Sequence, residues 1–317
     1  MQAAAQKTKE EIIVEEVIII GSGCAGLSAA IYTAREGFSP LVIAGRAAGG
    51  QLMLTTKVEN YPGFPQGVDG PELVGMMKAQ AERFGARMIY EDVASVDFSG
   101  KPLKVTCESN AYDAKAVIIA TGAYAMLLGI PSESKYMGHG VSTCGTCDGP
   151  FFKGRDVVVV GGGDTAMEDA HFLTKFASSI TLVHRRADFR ASRIMQDKVL
   201  SDPKIKAVME TVVEEILGDG RSVTGVRLRN VRTDEITEKK AQGVFITIGY
   251  SPNTKFLNGQ VKTDGKGYIS STDEVLTSVE GVFVAGDVSD SFYRQAATAS
   301  GSGVKAALRA REYLQGR

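Results

Sequence analysis

Three histidines and four cysteines in 317 residues leave little with which to hold a metal ion. A structural zinc site needs four ligands and a catalytic one needs three. Cys144 and Cys147 are the one close pair, there is no second Cys-x-x-Cys, and a site built from them with His139 would still lack a fourth ligand. Four cysteines in a chain of this length do not make a disulfide scaffold either. Cys24 and Cys107 stand alone and read as small buried apolar residues. An excess of one charge is also lacking. Lys and Arg number 36 against 37 Asp and Glu, a net charge of -1, so nothing in the balance recruits nucleic acid or an anionic membrane surface. No apolar run is long enough to span a bilayer, and "VIIIGSGCAGLSAAIYTA" is broken by glycines into strand, turn and helix. The opening "MQAAAQKTKEEIIVEE" has no apolar h-region and is too acidic for a transit peptide. Its first dozen residues are expected to be a frayed tail on a soluble, cytoplasmic protein.

What the chain does have is two nucleotide fingerprints. After the apolar run Val17 to Ile20 come Gly21, Ser22, Gly23, Cys24, Ala25 and Gly26, and then an amphipathic helical pattern. This is Gly-x-Gly-x-x-Gly between strand and helix. The first glycine makes the tight turn, the second lets the backbone approach a pyrophosphate, and the third lets helix and strand pack. The pyrophosphate then sits on free N–H groups at the helix N-terminus. About 140 residues later the pattern recurs: the strand-like Val157 to Val160, then Gly161, Gly162, Gly163, Asp164, Thr165 and Ala166, with Ala in the third position. One such motif is a weak signal, but two in strand–turn–helix context imply two dinucleotides.

The strand after the second copy, "SITLVHRRADFR", ends in His184, Arg185 and Arg186, with Arg190 one turn on. An acid there would hold the ribose hydroxyl of NAD, whereas arginines suit the 2′-phosphate of NADP. The second site therefore reads as one for NADPH. The strand after the first copy ends in Ala44 and Gly45, with neither acid nor arginine. Further on, "VEGVFVAGDVSD" puts Gly286 and Asp287 at the end of an apolar strand. An Asp there can hold a polyol such as the ribityl chain of a flavin, or it can be a plain turn residue. "VSTCGTCDGPFFKG" holds Cys144, Cys147 and Asp148. Half of a zinc site and an accidental pair are open readings, but a redox dithiol is favoured, because two nucleotide sites supply its electron source. Asp148 is placed either as a proton donor and acceptor or as the N-cap of the helix that follows.

In order, "GSGCAG", "AAGGQL", "VENYPGFP", "ATGA", "CGTCDG", "GGGDTAMEDA", "HRRADFRAS", "GYSPNT" and "VAGDVSDSFYRQAATASGSG" resemble the low-molecular-weight thioredoxin reductases, from about Glu16 to Leu314. The resemblance implies an α/β fold of two Rossmann-like domains, with an NADPH domain inserted into an FAD domain. It divides the chain into 1–124 (FAD domain, first part), 125–250 (NADPH domain with the dithiol) and 251–317 (FAD domain, second part). It assigns FAD to the Gly21–Gly26 turn, to Ala44, Gly45, Gly50 and Gln51, and to Asn60, Val93, Thr121, Gly122, Gly286, Asp287, Arg294, Gln295 and Ala296. NADPH falls to Gly161–Ala166 and to His184, Arg185, Arg186 and Arg190. Cys147 would face the flavin, Cys144 would attack the substrate disulfide, and Asp148 would act as acid and base. A homodimer that reduces thioredoxin or a thioredoxin-like protein is implied, the alternative being a flavin dithiol oxidase or a reductase of a peroxidase partner. The short crossings "ATGAYAM" and "IGYSPN" would serve as a hinge pair. The chain departs from the family pattern at Cys24 (commonly Pro), Tyr250 (commonly His), Val304 (commonly Cys) and Pro150 (usually an aromatic or small residue).

Overall fold

Val17, Ile18, Ile19 and Ile20 are buried, as a central strand covered on both faces requires. In the computed structural model, which describes residues 14–316, they end the strand Val14–Ile20. The N-terminal tail expected from the sequence lies outside the described residues. The strand pairs in parallel with Leu41–Ile43 on one edge and with Ala111–Ile119 on the other. Arg87–Ile89 extends the sheet beyond Leu41–Ile43. The far edge of Ala111–Ile119 is shared. Its first half pairs antiparallel with Leu103–Cys107, and Val117, Ile118 and Ile119 pair in parallel with Val282–Val284. The last of these pairings sets the strand that precedes Asp287 beside the strand that precedes Thr121.

Helix Cys24–Arg35 packs against helix Ala296–Leu314 through small side chains, with Ala25, Ala29, Ala30 and Ala34 in one core cluster with Ala306, Ala307 and Ala310. The approach is close enough that a Cβ at Gly303 would lie 2.1 Å from the Ala25 carbonyl oxygen. The dispersion contacts of such packing are individually small, but the interior has no slack for a larger residue.

A second sheet is parallel throughout, in the order Val141–Ser142, Gly243–Ile246, Asp156–Val160, Ser179–Val183, Ile205–Val208. Beside it in sequence, Thr211–Gly218, Val223–Asn230 and Ile236–Lys240 form an antiparallel sheet. "EITEKKAQGVFITIG", read from sequence as one arm of a hairpin, is split between the two. Ile236–Lys240 is exposed at every position and stays in the antiparallel sheet, whereas Gly243–Ile246 is buried at every position and enters the parallel one. Burial, not strand propensity, separates them.

The described residues divide into two compact units. One holds the chain up to Leu52, Glu72–Ala123 and the chain from Pro252 on; the other holds Met53–Pro71 and Tyr124–Ser251. Both are α/β with parallel sheets, as the resemblance implied. The crossings Ala123–Ala125 and Tyr250–Pro252 are short strands paired with one another. Among the described residues, no helix is long and apolar enough to cross a membrane.

Candidate active site

In the first unit the fingerprint turn is dictated by contact with backbone. Gly21 has φ +113°, and a Cβ on it would lie 2.2 Å from the Ala120 carbonyl oxygen; one on Gly26 would lie 2.0 Å from the Gly21 oxygen. A Cβ on Gly23 would meet nothing within 4 Å. The three glycines thus divide as the motif demands, two for packing and one beside open space. Helix Cys24–Arg35 starts at Gly23 with no side-chain cap, so its first N–H groups are free for an anion. Ser22 ties the turn to the next loop, donating to the Ala44 carbonyl at 3.0 Å and accepting from Gly49 N–H at 2.9 Å. Gly45, Gly50 and Gln51 lie in that loop, with Gly50 against Gly23.

On the neighbouring strands, Thr121 and Asn253 clamp each other. Thr121 donates to the Asn253 carbonyl, and the Asn253 amide donates to the Thr121 carbonyl, both at 2.8 Å. Gly122 accepts from Asn253 N–H at 3.0 Å. Gly286 donates its N–H to Ser302 at 3.1 Å, and Asp287 follows it. The Asp287 Oδ1 atom is buried without a hydrogen-bond partner. Burial, and secondarily Asp290, pushes its carboxyl up to about 6, with Arg294 opposing. Gln295 and Thr298 close a capping box at the start of helix Ala296–Leu314. Val93 begins the edge strand Val93–Asp97 of the same sheet.

In the second unit the other turn follows the same plan with different neighbours. A Cβ on Gly161 would lie 2.6 Å from both Ala166 Cβ and the Thr247 carbonyl oxygen, so the first position must stay glycine. Gly162 faces the His184 ring, 2.2 Å from where its Cβ would be, while the position of Gly163 is open. Helix Asp164–Leu173 also begins without a side-chain cap. Asp164 accepts from Ser192 N–H and hydroxyl, both at 2.9 Å, and Thr165 follows in the first turn. His184 is buried, stacks on Phe189 with centroids 5.2 Å apart, and sets one ring nitrogen 3.1 Å from the Asp188 carbonyl. Burial lowers its pKa, so the ring is neutral near pH 7 and packs as a wedge. Arg190 donates its N–H to the Gly162 carbonyl at 2.7 Å, which folds the Arg185–Arg190 loop onto the glycine turn. Arg185, Arg186 and Arg190 are exposed and, among the described residues, make no ion pair.

The dithiol belongs to this unit. Cys144 and Cys147 are joined as a disulfide with Cα atoms 5.3 Å apart, the pairing a redox dithiol requires. Cys144 is the N-cap of the short helix Gly145–Asp148, its Sγ accepting from Cys147 N–H at 3.2 Å and lying 3.4 Å from the Thr146 hydroxyl. That helix packs on helix Asp164–Leu173, with Asp169 against Gly145 and Leu173 against Gly149.

A family model described as pyridine nucleotide-disulphide oxidoreductase matches residues 15–303. This chain belongs to that family. Among curated relatives, a thioredoxin reductase of Rickettsia conorii is 51% identical over 306 residues, covering 95% of this chain and 99% of that one. One of Streptomyces coelicolor is 51% identical over 304 residues, covering 95% and 94%. Of solved structures, the thioredoxin reductase of Streptococcus pyogenes superposes with a TM-score of 0.92 at 41% identity, covering 96% of this chain and 99% of that one.

Within this oxidoreductase, both glycine turns lie between a strand and a helix, the arginine cluster follows the strand Ser179–Val183, and the two cysteines are joined. Of the two readings of Asp148, the N-cap does not hold. That residue makes no side-chain cap bond to the Gly149–Phe152 turn, and the cap of the preceding helix is Cys144 Sγ. The Asp148 carboxyl is largely buried, which raises its pKa, and the Ser142 hydroxyl partly opposes that rise. Asn60 lies in the stretch that groups with the second unit and is exposed. Pro150 causes no disruption, since it occupies the start of a short turn, where its missing N–H is not needed. Cys24 and Cys107 are buried free thiols, and burial is the main reason each is pushed up to about 11. Sequence reasoning missed Ser142, Asn253, Ser302 and the role of Tyr250, whose hydroxyl donates to the Thr143 carbonyl at 2.7 Å, next to Cys144. Only a contact list could have found them, because their partners are remote in sequence or carry no motif.

Proposed function

We infer that this chain is an NADPH-dependent flavoprotein that reduces the disulfide of thioredoxin through Cys144 and Cys147. The observation that carries the reading is the closed Cys144–Cys147 disulfide on a short helix seated against the helix of a nucleotide fingerprint, in a chain with a second fingerprint. Its cofactors are FAD and NADPH. The first unit fits a flavin dinucleotide: the space beside Gly23 and the uncapped helix suit a pyrophosphate, and the unpartnered Asp287 oxygen suits a ribityl hydroxyl. When bound, FAD supplies a two-electron carrier between NADPH and a disulfide. The exposed Arg185, Arg186 and Arg190, free of ion pairs among the described residues, suit the 2′-phosphate of NADPH.

The residues of the chain then carry the exchange. The disulfide takes up two electrons and two protons and opens to a dithiol. Cys144 is the attacking thiol, since the Cys147 N–H and the Thr146 hydroxyl beside its sulfur favour the thiolate. Cys144 Sγ forms a bond to one sulfur of the partner's disulfide, and the other partner sulfur leaves as a thiolate. Asp148, protonated more readily than an ordinary carboxyl, gives that thiolate its proton and regains one from water. Cys147 then attacks Cys144 Sγ, releases the second partner sulfur, and re-forms the disulfide. A cytoplasmic location and a homodimeric state belong to the same proposal and rest on the resemblance.

The test is NADPH oxidation by the purified, FAD-loaded protein with and without oxidised thioredoxin. Turnover that requires thioredoxin is expected. Cys147→Ser should abolish it and leave Cys144 in a stable mixed disulfide with the partner. Thioredoxin reduction by Cys147→Ser at the wild-type rate would remove the dithiol from the mechanism.

A further inference from the structure

Asp169 is a buried acid that the exchange described above does not use. It lies within helix Asp164–Leu173, which opens at the second glycine turn, and is 9% exposed. Its carboxyl faces the loop between the two cysteines. A Cβ on Gly145 would lie 2.7 Å from both Cγ and Oδ1 of Asp169, so the carboxyl stands within roughly 4 Å of the Gly145 Cα. Cys144 is the adjacent residue, one Cα step of about 3.8 Å away. The loop is held from other sides as well. Cys144 N–H donates to Ser142 Oγ at 3.0 Å, the Tyr250 hydroxyl donates to the Thr143 carbonyl at 2.7 Å, and Cys147 N–H donates to Cys144 Sγ at 3.2 Å. Disulfide and carboxyl are therefore kept at a short separation by the packing of one helix on the other.

We propose that Asp169 is a positioning residue that sets the reducing power of the dithiol, its carboxylate placing a negative charge beside Cys144. The proposal rests on the reading of Cys144 as the attacking thiol. Opening the disulfide with two electrons and one proton leaves a thiolate on Cys144 and a thiol on Cys147. A like charge nearby disfavours that thiolate. It works against the Cys147 N–H and the Thr146 hydroxyl, which favour it. The closed disulfide carries no charge and is indifferent to Asp169. The open form is thereby the stronger electron donor, and its thiolate the stronger nucleophile. At this separation, inside a protein, one charge changes the ionisation of another by about tenfold. The other ionisable groups nearby are Asp148 at the end of the dithiol helix, Tyr250 on the crossing strand, and Glu168 and His171 on the helix of Asp169 itself. His139, Arg155 and Lys57 line a cleft with Asp148. Asp169 is the acid packed against the backbone between the cysteines.

The experiment follows alkylation of Cys144 by iodoacetamide across pH in FAD-loaded Cys147→Ser protein, with the modified peptide identified by mass. The inflection of the rate reports the Cys144 thiolate. Asp169→Asn keeps the shape and removes the charge, so the inflection should move about one unit to lower pH. Gly145→Ala displaces the carboxyl and should move it in the same direction. In an Asp169→Asn background, Gly145→Ala should move it no further. With both cysteines present, Asp169→Asn should favour the open dithiol about tenfold in a glutathione buffer held above the inflection, equal to about 30 mV. An inflection that Asp169→Asn leaves in place, with alkylation faster or slower by the same factor at every pH, would overturn the proposal and make Asp169 a packing residue. A further shift from Gly145→Ala in the Asp169→Asn background would overturn it too, since no charge is then left to displace. Thioredoxin reduction by Cys147→Ser at the wild-type rate is a separate failure, which would overturn the reading of the dithiol and this proposal with it.

Discussion

Replacing Asp287 with asparagine isolates one buried charge and makes FAD affinity report on it. In the cofactor-free protein, burial holds this carboxyl at about 6, from an ordinary value of 3.8. Because the folded-state value is raised, its contribution to stability is whole below the ordinary carboxylate range and is lost as pH climbs through about 6. A ribityl hydroxyl that donates to the unpartnered oxygen binds the ionised form, so binding should release a proton. With a pKa near 6, about a tenth of the protein carries the charge at about pH 5 and about nine tenths at about pH 7. The Kd for FAD should therefore tighten about tenfold between those two pH values. Asp287→Asn cannot ionise, so its Kd should be weaker at pH 7 and flat with pH. The assay is equilibrium quenching of flavin fluorescence on apoprotein, at constant ionic strength. A wild-type Kd that does not change with pH would refute the argument, as would an asparagine variant with the same slope.

Gly21→Ala places a Cβ 2.2 Å from a backbone carbonyl at a positive φ and should cost about 2–4 kcal/mol in urea unfolding, whereas Gly23→Ala meets no protein atom and should keep its stability while losing FAD. Equal destabilisation by both would show that Gly23 is a packing glycine. Removing both Arg185 and Arg186 should weaken NADPH by up to about 100-fold and leave NADH nearly unchanged in binding titrations. Tyr250→Phe deletes the bond to the Thr143 carbonyl and should slow disulfide exchange about fivefold with NADPH affinity unaltered, measured in single turnover.

The glycine turns were legible because their requirements are local. What Gly21 and Gly26 must avoid lies within a strand and a turn of them or on the neighbouring strand, and the fold class follows from that arrangement. The place of the arginine cluster was legible for a similar reason, since the strand Ser179–Val183 that it follows pairs directly with the strand before the second turn. Asp287 was legible as a position but not as an acid, because its altered ionisation depends on the whole shell around it. The Cys-x-x-Cys loop shows where local reading stops. Tyr250 reaches Thr143 across 107 positions, on a stretch that returns beside the dithiol only because Gly243–Ile246 pairs with Val141–Ser142. Gly145 makes the same point from inside the motif. Its place between the cysteines suggests a residue chosen for sulfur chemistry, yet a Cβ there would lie 2.7 Å from the carboxyl of Asp169, on the helix that begins at the second fingerprint. Any side chain at 145 must displace that carboxyl. The size of the residue after Cys144 is therefore set by the helix Asp164–Leu173, so the make-up of the dithiol loop and the packing of that helix are one constraint on the sequence.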